Sequence, residues 1–118
     1  MAWILDQTYS FTIARLLEGF LRIDSLVVNG INMIVGGVDQ GVTPYIHPGD
    51  TVAVDMVVSN QGELADDFII EIWKNAVLYA TSPEILSLAI GMTSPYSPAS
   101  FVMPDANVSI EIRTFHEE

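Results

Sequence analysis

The chain has 118 residues, 15 Asp+Glu against 4 Lys+Arg, and a net charge of −11. That length suits one domain with a real core, and the absence of cysteine rules out disulfides and cysteine-based metal sites. The acid excess argues against nucleic acid and anionic membrane surfaces as partners, since both are bound through Lys and Arg, and no apolar run approaches the roughly 18 residues of a membrane span.

Residues 1–22 read MAWILDQTYSFTIARLLEGFLR. Trp3, Leu5, Tyr9, Phe11 and Ile13 fall on odd positions, and Asp6, Thr8, Ser10 and Thr12 on even ones. A period of two predicts a half-buried strand through about residue 13. For the next segment a helix capped by Ser10, burying Ile13, Leu16, Leu17, Phe20 and Leu21, competes with a strand. Polar residues interrupt the apolar run and the first basic residue is Arg15, so no export signal is expected. Starting at Met1, this reads as an unprocessed chain, and the lack of cysteine fits a reducing compartment. In IDSLVVNGINMIV, Asn29-Gly30 between two apolar runs predicts a type I′ hairpin. Gly36, Gly37, Asp39 and Gly41 then predict a flexible loop.

His47-Pro48-Gly49-Asp50 predicts a turn, with Pro fixing φ and Gly allowing the reversal. After it Val52, Val54, Met56 and Val58 share one face. Asn60-Gln61-Gly62-Glu63 makes the next turn. Phe68, Ile70 and Ile72 then point one way, with Glu71 and Trp73 opposite. Lys74-Asn75-Ala76 is a short turn into VLYAT. In PEILSLAIGM, Ile85, Leu86 and Leu88 are expected to cover the core edge. TSPYSPAS holds two prolines and is expected as a loop or edge crossing. After Phe101–Met103 and a Pro104-Asp105 turn, Val108, Ile110 and Ile112 alternate with Ser109, Glu111 and Arg113. About seven short strands with turns every 8–12 residues predict an all-β, antiparallel sandwich. The expected division is an arm over 1–22 and a sandwich domain over 23–118.

Sites of chemistry are sparse. His47 lies in a turn and His116 near the tail, without the convergent ligands a metal needs. Asp66-Asp67, with Glu63 and Asp105, lack the loop pattern of a calcium site. Gly36, Gly37 and Gly41 do not form a phosphate cradle, since no helix and no lysine follow them. No strained nucleophile turn is present. We therefore expect neither an enzyme nor a cofactor. Asn107-Val108-Ser109 has the form of a glycosylation acceptor, which means little without an export signal. Trp73, facing away from the predicted core beside Tyr79, has three readings: a subunit-interface anchor, a core residue after a one-residue register slip, or a sugar platform.

Residues 46–115 carry a set of short motifs in a particular order. His47-Pro48-Gly49-Asp50-Thr51-Val52 opens a strand, and Val57-Val58-Ser59-Asn60-Gln61-Gly62 ends one. Phe68 through Lys74-Asn75-Ala76 forms the strand and turn that follow. Leu88-Ala89-Ile90-Gly91 precedes another strand, and Phe101-Val102-Met103-Pro104-Asp105-Ala106-Asn107-Val108 closes the series. This order resembles the immunoglobulin-like modules of the CARDB or APHP-like type in archaeal, bacterial and viral surface proteins. The resemblance implies an immunoglobulin-like sandwich acting as a binding or structural module without shared catalytic residues. Residues 1–30 depart from it as an apolar arm the module does not need.

Charged residues make up 16% of the chain, against about 25% in an ordinary soluble domain. Much of the surface is therefore expected to be covered in the working state; the competing reading is an apolar monomer kept soluble by net charge. The arm either completes the chain's own sheet or adds to the open edge of a neighbour. The expected function is a structural, self-assembling subunit of a virion surface, decoration layer or extracellular filament. Its partners would be further copies or other structural subunits, with Trp3, Leu5, Tyr9, Phe11, Ile13, Trp73 and Tyr79 at the contacts. The alternative is a monomeric carbohydrate- or protein-binding module using Trp73, Tyr79, Tyr45 and Tyr96.

Overall fold

A computed structural model describes residues 2–10 and 19–117 of the chain. Among these, turn residues account for most of the strand boundaries. β1 (Leu21–Val28) and β2 (Ile31–Val35) meet at Asn29-Gly30, whose φ values of 49° and 79° are the positive pair of a type I′ turn. β3 (Val38–Asp39) returns over Gly36-Gly37, at φ 57° and 79°. The glycines expected to begin a flexible loop instead form a second tight hairpin, because they meet the same demand for positive φ. At the His47–Asp50 turn Gly49 has φ 89°, and the Asp50 N–H donates to the His47 carbonyl at 3.1 Å, as in a type II turn. β4 (Thr51–Val52) and β5 (Val54–Asn60) follow.

β6 (Asp66–Lys74) turns at Asn75-Ala76, φ 50° and 64°, into β7 (Val77–Thr81). Then come β8 (Ile85–Leu88), β9 (Thr93–Tyr96), β10 (Phe101–Val102) and β11 (Ile110–His116). One sheet runs β3-β2-β1-β5-β9; the other runs β11-β6-β7, with β8 also on β6; β10 and β4 form a short ribbon. All pairings are antiparallel. The TSPYSPAS stretch supplies β9, an edge strand, where Pro95 has no second neighbour needing its missing N–H.

The sheets bury the faces that the alternation marks. Val52, Val54, Met56 and Val58 pack against Phe68, Ile70 and Ile72, all in one buried cluster. The register of β1 on β5 shifts between Ile23 and Ser25, and this irregularity leaves Ile23, Leu26 and Val28 all against the core. The molecule is thus an antiparallel, all-β sandwich. One core assignment needs correction: Ile85 and Leu88 pack on the cluster, but Leu86 is 64% exposed. Ser87 adopts a left-handed φ of 50°, which breaks the alternation in β8.

The expected strand over residues 2–13 is also corrected in its described part. Residues 2–10 have no strand assignment and join neither sheet. Alternation prepares a strand, but extended backbone is held only when an edge pairs with it. Phe11, Ile13 and the competing helix lie mostly outside the described residues. At the far end of that helix, Leu21 opens β1 and Phe20 is 55% exposed, so they do not form a buried helical face.

Candidate functional site

The chain enters the sandwich at a close-packed point. Gly19 is buried, and a Cβ there would lie 2.6 Å from the Asp66 Cβ and 2.8 Å from the Phe68 ring, so only glycine fits. Beside it, Asn60 is fully buried. Its Nδ2 donates to the carbonyls of Leu64 at 2.8 Å and Leu88 at 2.9 Å. Its Oδ1 accepts from the N–H groups of Gly62 at 2.9 Å and Phe20 at 3.4 Å. One amide thereby ties the arm's root, the 61–65 turn and β8 together, and every polar atom it buries is paired. Outward from this root, Trp3, Ile4 and Leu5 are 93%, 84% and 79% exposed, and Tyr9 is exposed as well.

The two aromatic candidates in the sandwich are not brought together. Trp73 lies on the outer face of β6 and is partly buried. Its Nε1 donates to Glu71 Oε1 at 3.0 Å, and the Arg113 guanidinium lies 4.3 Å from its ring centre. Arg113 also donates to Glu111 at 3.0 Å; that hydrogen bond holds the Glu111 carboxyl below its usual range. Tyr79 packs on the core side, its ring edge-on to Phe101 at 5.6 Å. Its hydroxyl donates to the Ala99 carbonyl, and the Lys74 ammonium sits 4.9 Å from the ring centre. A shift in the β6–β7 register between Ile72 and Trp73 separates the pair, and no sequence signal marks that irregularity. Tyr45 stands in a loop at 90% exposure, while Tyr96 is partly buried on β9.

Among the described residues no three His, Asp or Glu side chains gather as metal ligands. His116 borders a shallow acidic dent with Asp67, Glu84 and Glu117. There the Glu117 carboxyl is pushed up by its hydrogen bond with Asp67, then by the nearby charges of Asp67, Glu84 and Asp66. No helix of the described residues is long and apolar enough to cross a membrane.

A feature the sequence reading did not find is an apolar groove of about 460 Å³ between the sheets. Ile23, Leu26 and Val28 of β1 form one wall and Ile110 and Ile112 of β11 the other, with Val42 in the loop beside them. Its lining includes no charged residue. Of these side chains, Ile110 and Ile112 read as one face from the alternation; that Ile23, Leu26 and Val28 join them, and that the sheets stand apart here, are tertiary facts. Set against protein-family models, curated proteins and solved structures, the chain matches none.

Proposed function

We propose that this protein is a structural, self-assembling subunit, of a virion surface, decoration layer or extracellular filament, that acts through protein–protein contacts. The observation that carries the reading is the arm: Trp3, Ile4 and Leu5 stand in solvent, outside both sheets. Exposing such side chains forgoes roughly 1.5–3 kcal/mol each, which a partner surface recovers. The chain's shortage of charge, 16% of residues, supports the same reading, and so does the resemblance of residues 46–115 to surface-protein modules with an immunoglobulin-like fold. Deleting residues 1–13 should give a soluble monomer by size exclusion with light scattering; if the truncated chain still assembles as the full chain does, the reading fails. A monomeric glycan- or protein-binding module keeps one observation in its favour, the 90% exposed ring of Tyr45. A tryptophan fluorescence change on adding glycans to a monomeric chain would select it instead.

A further inference from the structure

The arm and the groove lie at opposite ends of the sandwich. The arm's root is beside Leu21, which pairs with Asn60, whereas Val28 pairs with Val54 at the other end of β1. At the root the groove is closed: Thr114 Oγ1 donates to the Leu21 carbonyl at 3.0 Å. It opens toward Val28 and Ile110, about 23 Å away along an eight-residue strand.

Among the described residues, the groove runs beside an unpaired edge: β11 is the end strand of its sheet and pairs there with β6 alone. The Asn75 N–H donates to the Ser109 carbonyl and the Glu117 N–H to the Asp67 carbonyl, so odd-numbered residues along β11 face β6. Antiparallel alternation then turns the backbone N–H and C=O of Ile110 and Ile112 away from β6, toward the open edge, while their side chains line the groove. Other edges among the described residues suit this contact less well: β9 contains Pro95, β3 has two residues, and β7, the opposite end of the same sheet, contributes no residue to the groove.

We propose that this groove receives residues 2–10 of a second copy, which add as a strand to the free edge of β11. The inference rests on the self-assembly reading and names its contact. Three observations select this occupant. The described arm is nine residues long, about 26 Å from end to end when extended, and covers the roughly 20 Å of the seven-residue β11. Its odd positions place Trp3, Leu5 and Tyr9, with the uncharged Gln7 between the last two, on the side that enters the apolar groove, and put its one charge, Asp6, on the other, away from a lining without charge. With root and groove mouth at opposite ends, a subunit that donates its arm to one neighbour still presents an open groove to another, which is the arrangement a head-to-tail, propagating contact requires.

The cysteine-free chain permits a direct test. Leu5→Cys and Ile110→Cys variants, distinguishable by a tag, are mixed and treated with a short bis-maleimide. The expected result is a covalent heterodimer at least tenfold more abundant than with Val77→Cys, which places the thiol on the opposite edge at a site 67% exposed. Equal yields, or none with Ile110→Cys, overturn the groove. If the wild-type chain nevertheless assembles by light scattering, only the contact is wrong; if it stays monomeric, the self-assembly reading falls as well. An intramolecular link in the dilute Leu5→Cys, Ile110→Cys double variant shows the arm filling its own groove and overturns exchange between copies. Should a variant fold poorly, a peptide of residues 2–10 added to the unmodified chain decides: it should block assembly where a scrambled peptide does not, and no inhibition counts against the groove.

Discussion

At the scale of single residues, the side chains that matter most are polar ones in unexpected places. Asn60 reads as a turn residue, and it does begin a turn. The sequence does not show that its amide is buried and serves four backbone groups on three segments. Asn60→Ala strands those partners, and chemical denaturation should show a loss of about 3 kcal/mol. Glu117 carries a pH prediction. Its pKa is raised in the folded chain, so the folded state holds the proton more tightly than the unfolded one. The resulting stability is present below the ordinary glutamate range and is lost as pH rises through the folded value. Glu117→Gln should therefore raise the melting temperature slightly at pH 7, and the gain should vanish near pH 4. Trp73 was legible as an outward residue, but its cover by Arg113 comes from cross-strand neighbours that only the β6–β11 register supplies.

At the scale of elements, the turns were the most legible feature because their chemistry is local. Asn29-Gly30 meets the positive-φ demand with the two residues best suited to it. Asn75-Ala76 meets the same demand with an alanine at φ 64°. A left-handed φ costs a residue bearing a Cβ roughly 1–2 kcal/mol, so Ala76→Gly should stabilise the protein by about 0.5–1 kcal/mol once glycine's larger chain entropy is counted. Denaturation midpoints will show it. At the arm's root, a Cβ on residue 19 meets Asp66 and Phe68. Gly19→Ala should cost about 1–3 kcal/mol, detectable as a lower melting temperature. The strand expected over residues 2–13 failed in its described part for a reason that also belongs to this scale: alternation marks which side chains would share a face, but a strand exists only beside another edge.

At the scale of the whole molecule, charge opposes association and apolar surface favours it. With a net charge of −11, copies repel one another, and salt shortens that repulsion from roughly 30 Å at 0.01 M to roughly 8 Å at 0.15 M. Assembly through an uncharged groove should therefore strengthen as salt is added over that range, read by light scattering. An interface built on ion pairs would weaken instead. Exposed apolar residues also collect around the arm's root: Phe20, Leu64, Ile90 and Met92 are 55%, 38%, 55% and 57% exposed; the carbonyls of Phe20 and Met92 accept from the N–H groups of Gln61 and Asn60, that of Leu64 accepts from the Asn60 side chain, and Ile90 precedes Gly91, whose N–H donates to the Asn60 carbonyl. In a head-to-tail array this root end faces the mouth of the next subunit's groove, so both ends of the sandwich would lose exposed apolar area.

By itself the sequence determined the class of fold, the core faces of β5 and β6, and the hairpins at Asn29-Gly30 and Asn75-Ala76. Each of these rests on spacing or backbone preference within a few residues, and such physics does not need the rest of the chain. Tertiary structure alone decided which edges stay open, that Trp73 and Tyr79 part company at a register shift, that Asn60 is buried, and that the sheets separate beside β11. Those outcomes depend on how distant strands pair and how two layers meet, and the same alternating pattern is compatible with a closed sandwich or an open one.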